Sequence, residues 1–369
     1  MEGALQAAIA MEEEEEKTVN VAEKDDSSSS DDEEEAKEAT SEVFLGFAVE
    51  HEDNDEDADF PSVLGGKPYW PRSVALLRSE DLLACPTCKQ SMPLLAQVYA
   101  PLEWVEAAYH RFLLVFVCTR AACWRSRDCV VVLRSQLRKE EPPLDPAAER
   151  DIACRVCGKP AFKSCGKCRR QHYCCVAHQV ADWRAGHKQH CGADEAEPPC
   201  AVGLDPLVLL RQMDIVTERE VYVYDREQAK EAAACNAELM SQELRSKMLP
   251  PTAAESKVLQ QSKKADSTFL RFVARTKDYQ EQVLRYSFGA KRPLWVNSEN
   301  QLIGEPPKCE RCGGRRVFEL QLMPQVLYFL KVDLNEETAM DWSSLIVFVC
   351  EASCDAGETG YAKEYAFVH

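Results

Sequence analysis

Two short, uninterrupted apolar runs stand out in the hydropathy pattern of this 369-residue chain, at residues 113–118 and 345–350. Both are rich in β-branched and aromatic residues and are bounded by polar residues, which is typical of central strands buried on both faces. Residues 94–99 and 317–323 are further strand candidates. The pattern therefore predicts a body built around β-strands.

Helical periodicity is confined to the region before the second apolar run. Residues 226–248 are rich in Ala, Glu, Gln, Lys and Leu, which favours a helix. Phe269 to Val273, together with residues 282–286, predict a second helix with one apolar face. We therefore assign the chain to the α+β class.

The two apolar runs belong to two similar stretches that lie about 225 residues apart. Each stretch begins with a Gly-x-Lys-containing segment that ends in Trp70 or Trp295. Each then contains a Cys-x2-Cys pair and a glutamine nine residues after the second cysteine, and ends with the apolar run and a further cysteine. This shared order predicts two repeated β-rich halves.

Charge divides the chain unevenly. The first 60 residues carry a net charge of about −20 and the remaining 309 about +2, which together make the formal −18 of the whole chain. A segment so acidic cannot bury enough apolar surface to offset its ordering entropy, so residues 1–42 are predicted to be a disordered acidic tail. The tail either serves solubility alone or attracts a basic client such as a ribosomal protein or a histone.

No apolar run reaches the roughly 18 residues that a membrane-spanning helix needs, and the N-terminus is acidic where a signal peptide is basic. We therefore expect neither membrane insertion nor secretion. Proline and acidic clusters give the domain boundaries. The predicted order is 43–145, a first repeat; 150–192, a zinc finger; 193–265, a linker and helical connection; and 266–369, a second repeat.

Eighteen cysteines in a chain expected to be intracellular favour thiolate metal ligands over disulfides. The central segment contains two Cys-x2-Cys pairs followed by Cys-x3-His and His-x3-Cys, which is enough for two tetrahedral zinc ions. We predict a cross-brace, in which the first and third pairs bind one zinc ion and the second and fourth pairs bind the other. The first zinc would take Cys154, Cys157, Cys174 and His178, and the second would take Cys165, Cys168, His187 and Cys191.

Spacing alone does not determine this connectivity, and Cys175 and His190 are alternative ligands next to the chosen ones. The two residues of each pair, Cys174/His178 and His187/Cys191, lie four positions apart, so each pair is predicted to share one helical face. Because every ligand position is filled by protein, the zinc is expected to be structural.

Each repeat also carries four cysteines that two strand ends could bring together for a third and a fourth zinc ion. These sets are Cys85, Cys88, Cys118 and Cys123, and Cys309, Cys312, Cys350 and Cys354. The alternative is that they are buried reduced cysteines that behave as small apolar side chains. The basic residues of the finger, Lys159 among them, fit either nucleic acid or a solvated face that balances the thiolates, and we do not expect direct nucleic-acid binding.

With Tyr173 before Cys174 and Asp182-Trp183 before the last ligand pair, the central segment closely resembles a MYND finger. From about residue 43 to the C-terminus, the chain resembles the programmed cell death protein 2 family. The segments that carry this resemblance are 45–47, 64–70, 97–102, 281–286 and 293–295.

The resemblance implies a dedicated chaperone that binds one small-subunit ribosomal protein, ribosomal protein S two in eukaryotic naming. It would escort that client from the cytoplasm to nuclear pre-ribosomes and would not be an enzyme. The resemblance also implies that the two repeats form one body about a pseudo-two-fold axis, with the finger inserted. Trp70 and Trp295 would either lie near the client surface or belong to the core.

Two other functions are consistent with a MYND finger. An adaptor in transcription or apoptosis would bind proline-containing peptides in a groove lined by Tyr173, Gln179 and Trp183. MYND fingers also occur in lysine methyltransferases, but the sequence contains no Gly-rich cofactor loop and no nucleophile elbow. We therefore predict no catalytic residues.

Overall fold

The computed structural model describes residues 42–51, 60–77, 79–126, 128–142, 144, 152–192, 209–221, 267–290, 292–331, 340 and 342–369. The predicted helix at 226–248, the acidic residues 1–41 and most of the predicted linker at 193–265 lie outside these ranges. Within them, no helix has the length and apolar character to cross a membrane.

Ten strands form a closed barrel, and two further strands form a hairpin in the zinc-finger segment. The strands are β1 (Phe44–Glu50), β2 (Val63–Leu64), β3 (Leu94–Tyr99), β4 (His110–Val117), β5 (Val130–Leu137), β6 (Lys163–Ser164), β7 (His172–Tyr173), β8 (Met213–Arg219), β9 (Gln282–Tyr286), β10 (Arg316–Leu322), β11 (Leu345–Cys350) and β12 (Tyr361–Val368). Around the barrel they follow the order β1-β8-β2-β3-β4-β5-β12-β11-β10-β9, in which β6 and β7 take no part. All four predicted strands are confirmed, as β3, β4, β10 and β11.

In the described residues, helices are few and short. They are α1 (Val176–Asp182), α2 (Lys188–His190), α3 (Ser267–Thr276) and α4 (Gln325–Phe329), with a π-helical turn (Trp183–His187) between α1 and α2. Short 3-10 turns cover Val74–Leu76, Glu80–Leu83, Glu106–Ala108, Ala121–Ser126 and Gly357–Thr359. The predicted α+β class is thus correct in part, since both elements occur but strands dominate.

The prediction that residues 269–273 and 282–286 form one helix is wrong in its second part. The helix α3 ends at Thr276, and Gln282–Tyr286 is strand β9, which pairs with both β1 and β10. The adjacent residues Val283 and Leu284 are both fully buried, because a central barrel strand is covered on both faces.

Two antiparallel meanders make up most of the barrel. Strands β2 to β5 come from the first predicted repeat and β9 to β12 from the second, and they meet where β12 pairs with β5. Both meanders have a register shift at the corresponding place, between Leu94 and Ala96 in β3 and between Phe318 and Leu320 in β10. The shared cysteine-to-glutamine spacing therefore corresponds to the same local structure in both halves.

The two apolar runs are buried on both faces, as their composition predicts. In β4, Leu113, Val115 and Val117 belong to one apolar cluster, whereas Phe112, Leu114 and Phe116 face a second cluster on the other side. Trp70 stacks on Phe116, with ring centroids 6.0 Å apart, and is only 7% exposed. Of the two alternatives for Trp70, the structure therefore supports a place in the core. Trp295 is half-buried against Phe367.

Charged side chains cross between the halves inside the barrel wall. Arg111 of β4 forms a fully buried ion pair with Glu319 of β10. Arg134 of β5 and Arg316 of β10 both bind the buried carboxylate of Glu364 in β12, at 2.7 Å and 3.1 Å. The halves are therefore joined by buried charges as well as by apolar packing.

Candidate metal centres

The structure assembles four groups of metal-ligating side chains in the described residues, and in each group the ligand atoms lie within 4.8 Å of one another. The groups are Cys85, Cys88, Cys118 and Cys123; Cys154, Cys157, Cys174 and His178; Cys165, Cys168, His187 and Cys191; and Cys309, Cys312, Cys350 and Cys354. These are the same four sets that the sequence predicts. Cys175 and His190, the alternative ligands, belong to none of them.

Each Cys-x2-Cys pair forms the same tight turn. The residue after the second cysteine has a left-handed backbone, with φ of 59° at Lys89, 69° at Gly158, 59° at Arg169 and 71° at Gly313. Its N–H donates to the carbonyl of the first cysteine at 2.8–2.9 Å in all four turns. This conformation points both thiols of a pair to the same side. Glycine adopts it without strain, which explains its presence in two of the four turns.

The same turns favour the thiolate form that binds metal. Burial raises the pKa of the Cys165 thiol, but the main-chain N–H of Cys168 and the ring of His187 together lower it to about 6. At Cys309, burial likewise raises the pKa, and the N–H groups of Cys312 and Arg311 lower it to about 7. Hydrogen bonds to the charged form have this effect because they are lost when the thiolate is protonated.

The distances between ligand atoms fit zinc and do not fit disulfides. Five sulfur pairs are 3.6–3.7 Å apart: Cys88–Cys118, Cys157–Cys174, Cys165–Cys191, Cys309–Cys354 and Cys312–Cys350. A disulfide would bring the sulfurs to about 2.05 Å. Zn–S bonds of about 2.3 Å in a tetrahedron place the sulfurs about 3.8 Å apart. The donor sets therefore match tetrahedral structural zinc, which would fix the relative positions of the elements that carry its ligands.

In the central segment the ligands alternate between the two groups, which gives the cross-brace that the spacing predicts. His178 approaches Cys154 and Cys174 with Nδ1, at 3.6 Å and 3.2 Å, whereas His187 approaches Cys168 with Nε2 at 3.6 Å. The prediction of two helical ligand pairs needs correction. Cys174 precedes α1, which begins at Val176, because the chain bends directly after β7.

Tyr173 and Asp182 form the interior of the finger. Tyr173 is fully buried, and its hydroxyl donates to the Asp182 carboxylate at 2.7 Å. Asp182 also forms an ion pair with Arg155 at 3.3 Å. Tyr173 therefore does not line a peptide groove, which corrects the prediction for this residue. Gln179 and Trp183 are half-buried, and their role in peptide binding stays a prediction.

The finger is fixed to the first half of the barrel by hydrogen bonds. Trp70 Nε1 donates to the Gly158 carbonyl at 2.7 Å, and Lys67 Nζ donates to the Arg155 carbonyl at 2.9 Å. Lys159 is only 2% exposed and donates to the Met92 carbonyl at 2.6 Å. The assignment of Lys159 to a solvated basic face is therefore wrong. Cysteine spacing carries no signal for this contact, since Met92 lies outside the finger.

The ligands of the second repeat are held in part by the first half of the chain. Arg134 Nη2 donates to the Cys354 carbonyl at 2.9 Å and lies 3.8 Å from its sulfur. The Cys350 N–H donates to Glu364, the carboxylate that also binds Arg134. Partners that orient ligands in this way tune metal affinity. Cysteine spacing indicates neither residue: Arg134 lies 220 residues from Cys354 along the chain, and Glu364 is not a cysteine or histidine of the predicted ligand sets.

Metal analysis is expected to find about four zinc ions per chain, and the second-repeat zinc should be released first. Cys312 is exposed and Cys354 is half-buried, whereas Cys154, Cys157 and His178 of the first finger site are buried. Release to a coloured chelator should therefore begin with a fast phase of one zinc, which the Cys312→Ser variant lacks. About two ions per chain would show that the outer cysteines are merely buried.

Three protein-family models match the chain. The N-terminal domain of programmed cell death protein 2 matches residues 42–149, the MYND finger matches 154–191, and the C-terminal domain of programmed cell death protein 2 matches 266–369. The structure places the two outer matches on the two meanders of the barrel, with the finger between them in sequence.

Programmed cell death protein 2 of Bos taurus is 35% identical over 336 residues, which cover 84% of this chain and 90% of the bovine protein. The Mus musculus protein of that name is 34% identical over 355 residues, or 90% of this chain and 97% of the mouse protein. Probable 20S rRNA accumulation protein 4 of Schizosaccharomyces pombe is 30% identical over 115 residues, 27% of this chain and 28% of that protein. No solved structure gives a significant match.

Proposed function

Because this chain belongs to the programmed cell death protein 2 family, we propose that it is a dedicated chaperone of a small-subunit ribosomal protein in ribosome biogenesis. Family membership over most of the chain is the observation that carries the proposal. The name of the Schizosaccharomyces pombe relative links that protein to 20S rRNA accumulation, which supports a role in ribosome biogenesis. The client that we propose is ribosomal protein S two.

The metal centres support a scaffold rather than a catalyst. Each of the four groups offers four protein ligands, so a tetrahedral zinc would have no open position for a substrate. We therefore infer that the chain is not an enzyme and that zinc holds the client-binding body in shape.

Charge supplies the physical basis for capture. A newly made ribosomal protein is basic, because it must bind RNA, and is prone to aggregate before assembly. Residues 1–41 of this chain carry a net charge of about −12, which would attract such a client and speed the encounter. We propose that this occurs in the cytoplasm and continues to the nucleus, and that the two meanders are repeats about a pseudo-two-fold axis.

A second function is favoured by one observation. Val176 and Val180 are 58% and 39% exposed on one face of α1, next to Trp183. Exposed apolar side chains on a finger helix fit an adaptor that binds a proline-containing peptide.

Affinity purification followed by mass spectrometry tests both functions in one experiment. We expect the wild-type chain to recover a small-subunit ribosomal protein in stoichiometric amount, and the doubly substituted Val176→Glu/Val180→Glu chain to recover it equally well. Absence of any small-subunit ribosomal protein from the wild-type sample would contradict the proposed chaperone function. Loss of all partners only in the substituted chain would favour the adaptor.

A further inference from the structure

Strand β8 is paired along its whole length on one side and has an open edge on the other. It pairs with β1 along its whole length, from Met213 to Arg219, but β2 pairs with only its first two residues. The N–H of Ile215 donates to the Ser62 carbonyl at 2.8 Å. Beyond that bond, the described part of the chain offers no main-chain partner on the side of β8 that faces away from β1.

The direction of the main-chain groups follows from two hydrogen bonds. Ile215 donates toward the β2 side, whereas Glu220 donates to the Val43 carbonyl on the β1 side, at 2.7 Å. Main-chain groups alternate between the two sides along a strand. The N–H and carbonyl groups of Thr217 and Arg219 therefore point to the open edge, and those of Val216 and Glu218 point to β1.

This edge is accessible and contains no proline, lysine or bulge. All four residues from Val216 to Arg219 are exposed, and Val216 is 51% exposed. Natural proteins commonly protect such an edge with proline, lysine or a bulge, because it can pair with another chain. The pairing of β8 with β1 shows no register shift, and β8 contains neither proline nor lysine.

The acidic residues 1–41 precede β1, the strand that pairs with the other side of β8. Phe44, the first residue of β1, lies opposite Arg219, and Glu42 forms an ion pair with Arg219 at 3.1 Å. Residues 1–41, with their net charge of about −12, therefore join the chain three residues before Phe44, one strand away from the open edge. Glu218 adds a further exposed carboxylate on β8. The local charge selects for a basic partner.

We propose that β8 from Val216 to Arg219 is a strand-addition site that takes an extended basic segment of the client, an inference that rests on the proposed function. Main-chain bonds to Thr217 and Arg219 would supply affinity with little dependence on sequence. The exposed Val216 side chain would contact apolar residues at alternate positions of the segment, and the tethered acidic residues would favour lysine and arginine.

A single substitution removes the donor without disturbing the barrel. Thr217→Pro deletes an N–H that points away from β1, and proline is tolerated at a sheet edge. Thr217→Val keeps that N–H and the strand propensity, so it is the matched control. We expect Thr217→Pro to weaken binding of a synthetic peptide of alternating lysine and valine about tenfold, and Thr217→Val to change it less than about twofold. Zinc content and melting temperature should match the wild type in both variants.

Residue-resolved amide exchange on the wild-type chain gives an independent test that does not depend on the folding of any variant. The amides of Thr217 and Arg219 should exchange fast in the free chain and slowly with the peptide bound, while those of Val216 and Glu218 stay slow throughout. Slow exchange of Thr217 and Arg219 without peptide would show that the chain covers its own edge and would overturn the proposal. Equal peptide affinity of the Thr217→Pro and Thr217→Val variants would do the same.

The two proposals fail separately. If the wild-type chain recovers its ribosomal protein and the Thr217→Pro variant recovers it equally well, the client binds elsewhere and only the edge proposal falls. If no ribosomal protein is recovered but the peptide still protects Thr217 and Arg219, the edge is a binding site and the chaperone function is wrong.

Discussion

Replacing Cys174 with serine is expected to unfold the finger, whereas the same replacement at Cys175 should leave it folded. Cys174 lies 3.6 Å from Cys157 and 3.2 Å from His178 within one ligand group, and Cys175 belongs to no group. A segment this short has too small a core to fold alone, so structural zinc must supply on the order of 10 kcal/mol per site. Loss of one site should therefore release both finger ions.

The measurement is zinc content together with amide exchange over residues 152–192. In the Cys174→Ser chain, zinc should fall from about four ions to about two, and exchange in the finger should become fast. The Cys175→Ser chain should match the wild type in both. Equal zinc loss in the two variants would show that the assigned ligand set is incorrect.

Replacing Glu364 with glutamine is expected to lower the free energy of unfolding of the barrel by about 3–5 kcal/mol. The carboxylate is buried between Arg134 and Arg316 and also accepts the Cys350 N–H at 3.0 Å. Glutamine keeps the side-chain volume but removes the charge, which leaves two buried guanidinium groups without a counterion. Denaturant titration followed by circular dichroism measures the change.

An exposed pair in the same half provides the control. Glu351 binds Arg315 at the surface, where water screens the pair. Glu351→Gln should leave the denaturation midpoint almost unchanged. A similar loss in both variants would mean that removal of negative charge in general, rather than burial of the Glu364 pair, destabilises the barrel.

The spacing of residues along the chain predicts those features whose residues lie close together in the sequence. The four Cys-x2-Cys turns are local, and the two glutamines at equal spacing accept equivalent bonds, from Tyr69 N–H to Gln97 and from Leu294 N–H to Gln321. The burial of the two apolar runs on both faces could also be predicted, because a strand that is buried on both faces requires a continuous apolar sequence.

The features that local sequence does not indicate depend on partners far away along the chain. Lysine side chains are usually exposed to solvent, and only the contact between Lys159 and Met92 in the first half shows that this one is buried. Arg111 and Glu319 are 208 residues apart, so nothing near either residue indicates the pair. The hydrophobic pattern of residues 282–286 is compatible with a helix or a strand. Pairing with β1 and β10 stabilises the strand.

The pairing of β12 with β5 also determines the order in which the molecule can fold. The finger ligands lie within 38 residues of one another, so the finger can form as soon as that segment and zinc are available. The contact between Arg134 and Glu364 spans 230 residues, and until residues 361–368 have been synthesised β5 lacks its neighbour. Contacts of such long range make folding slow. Each new copy of this chain therefore passes through an interval with an unpaired apolar strand, the same hazard that a chaperone relieves in its client.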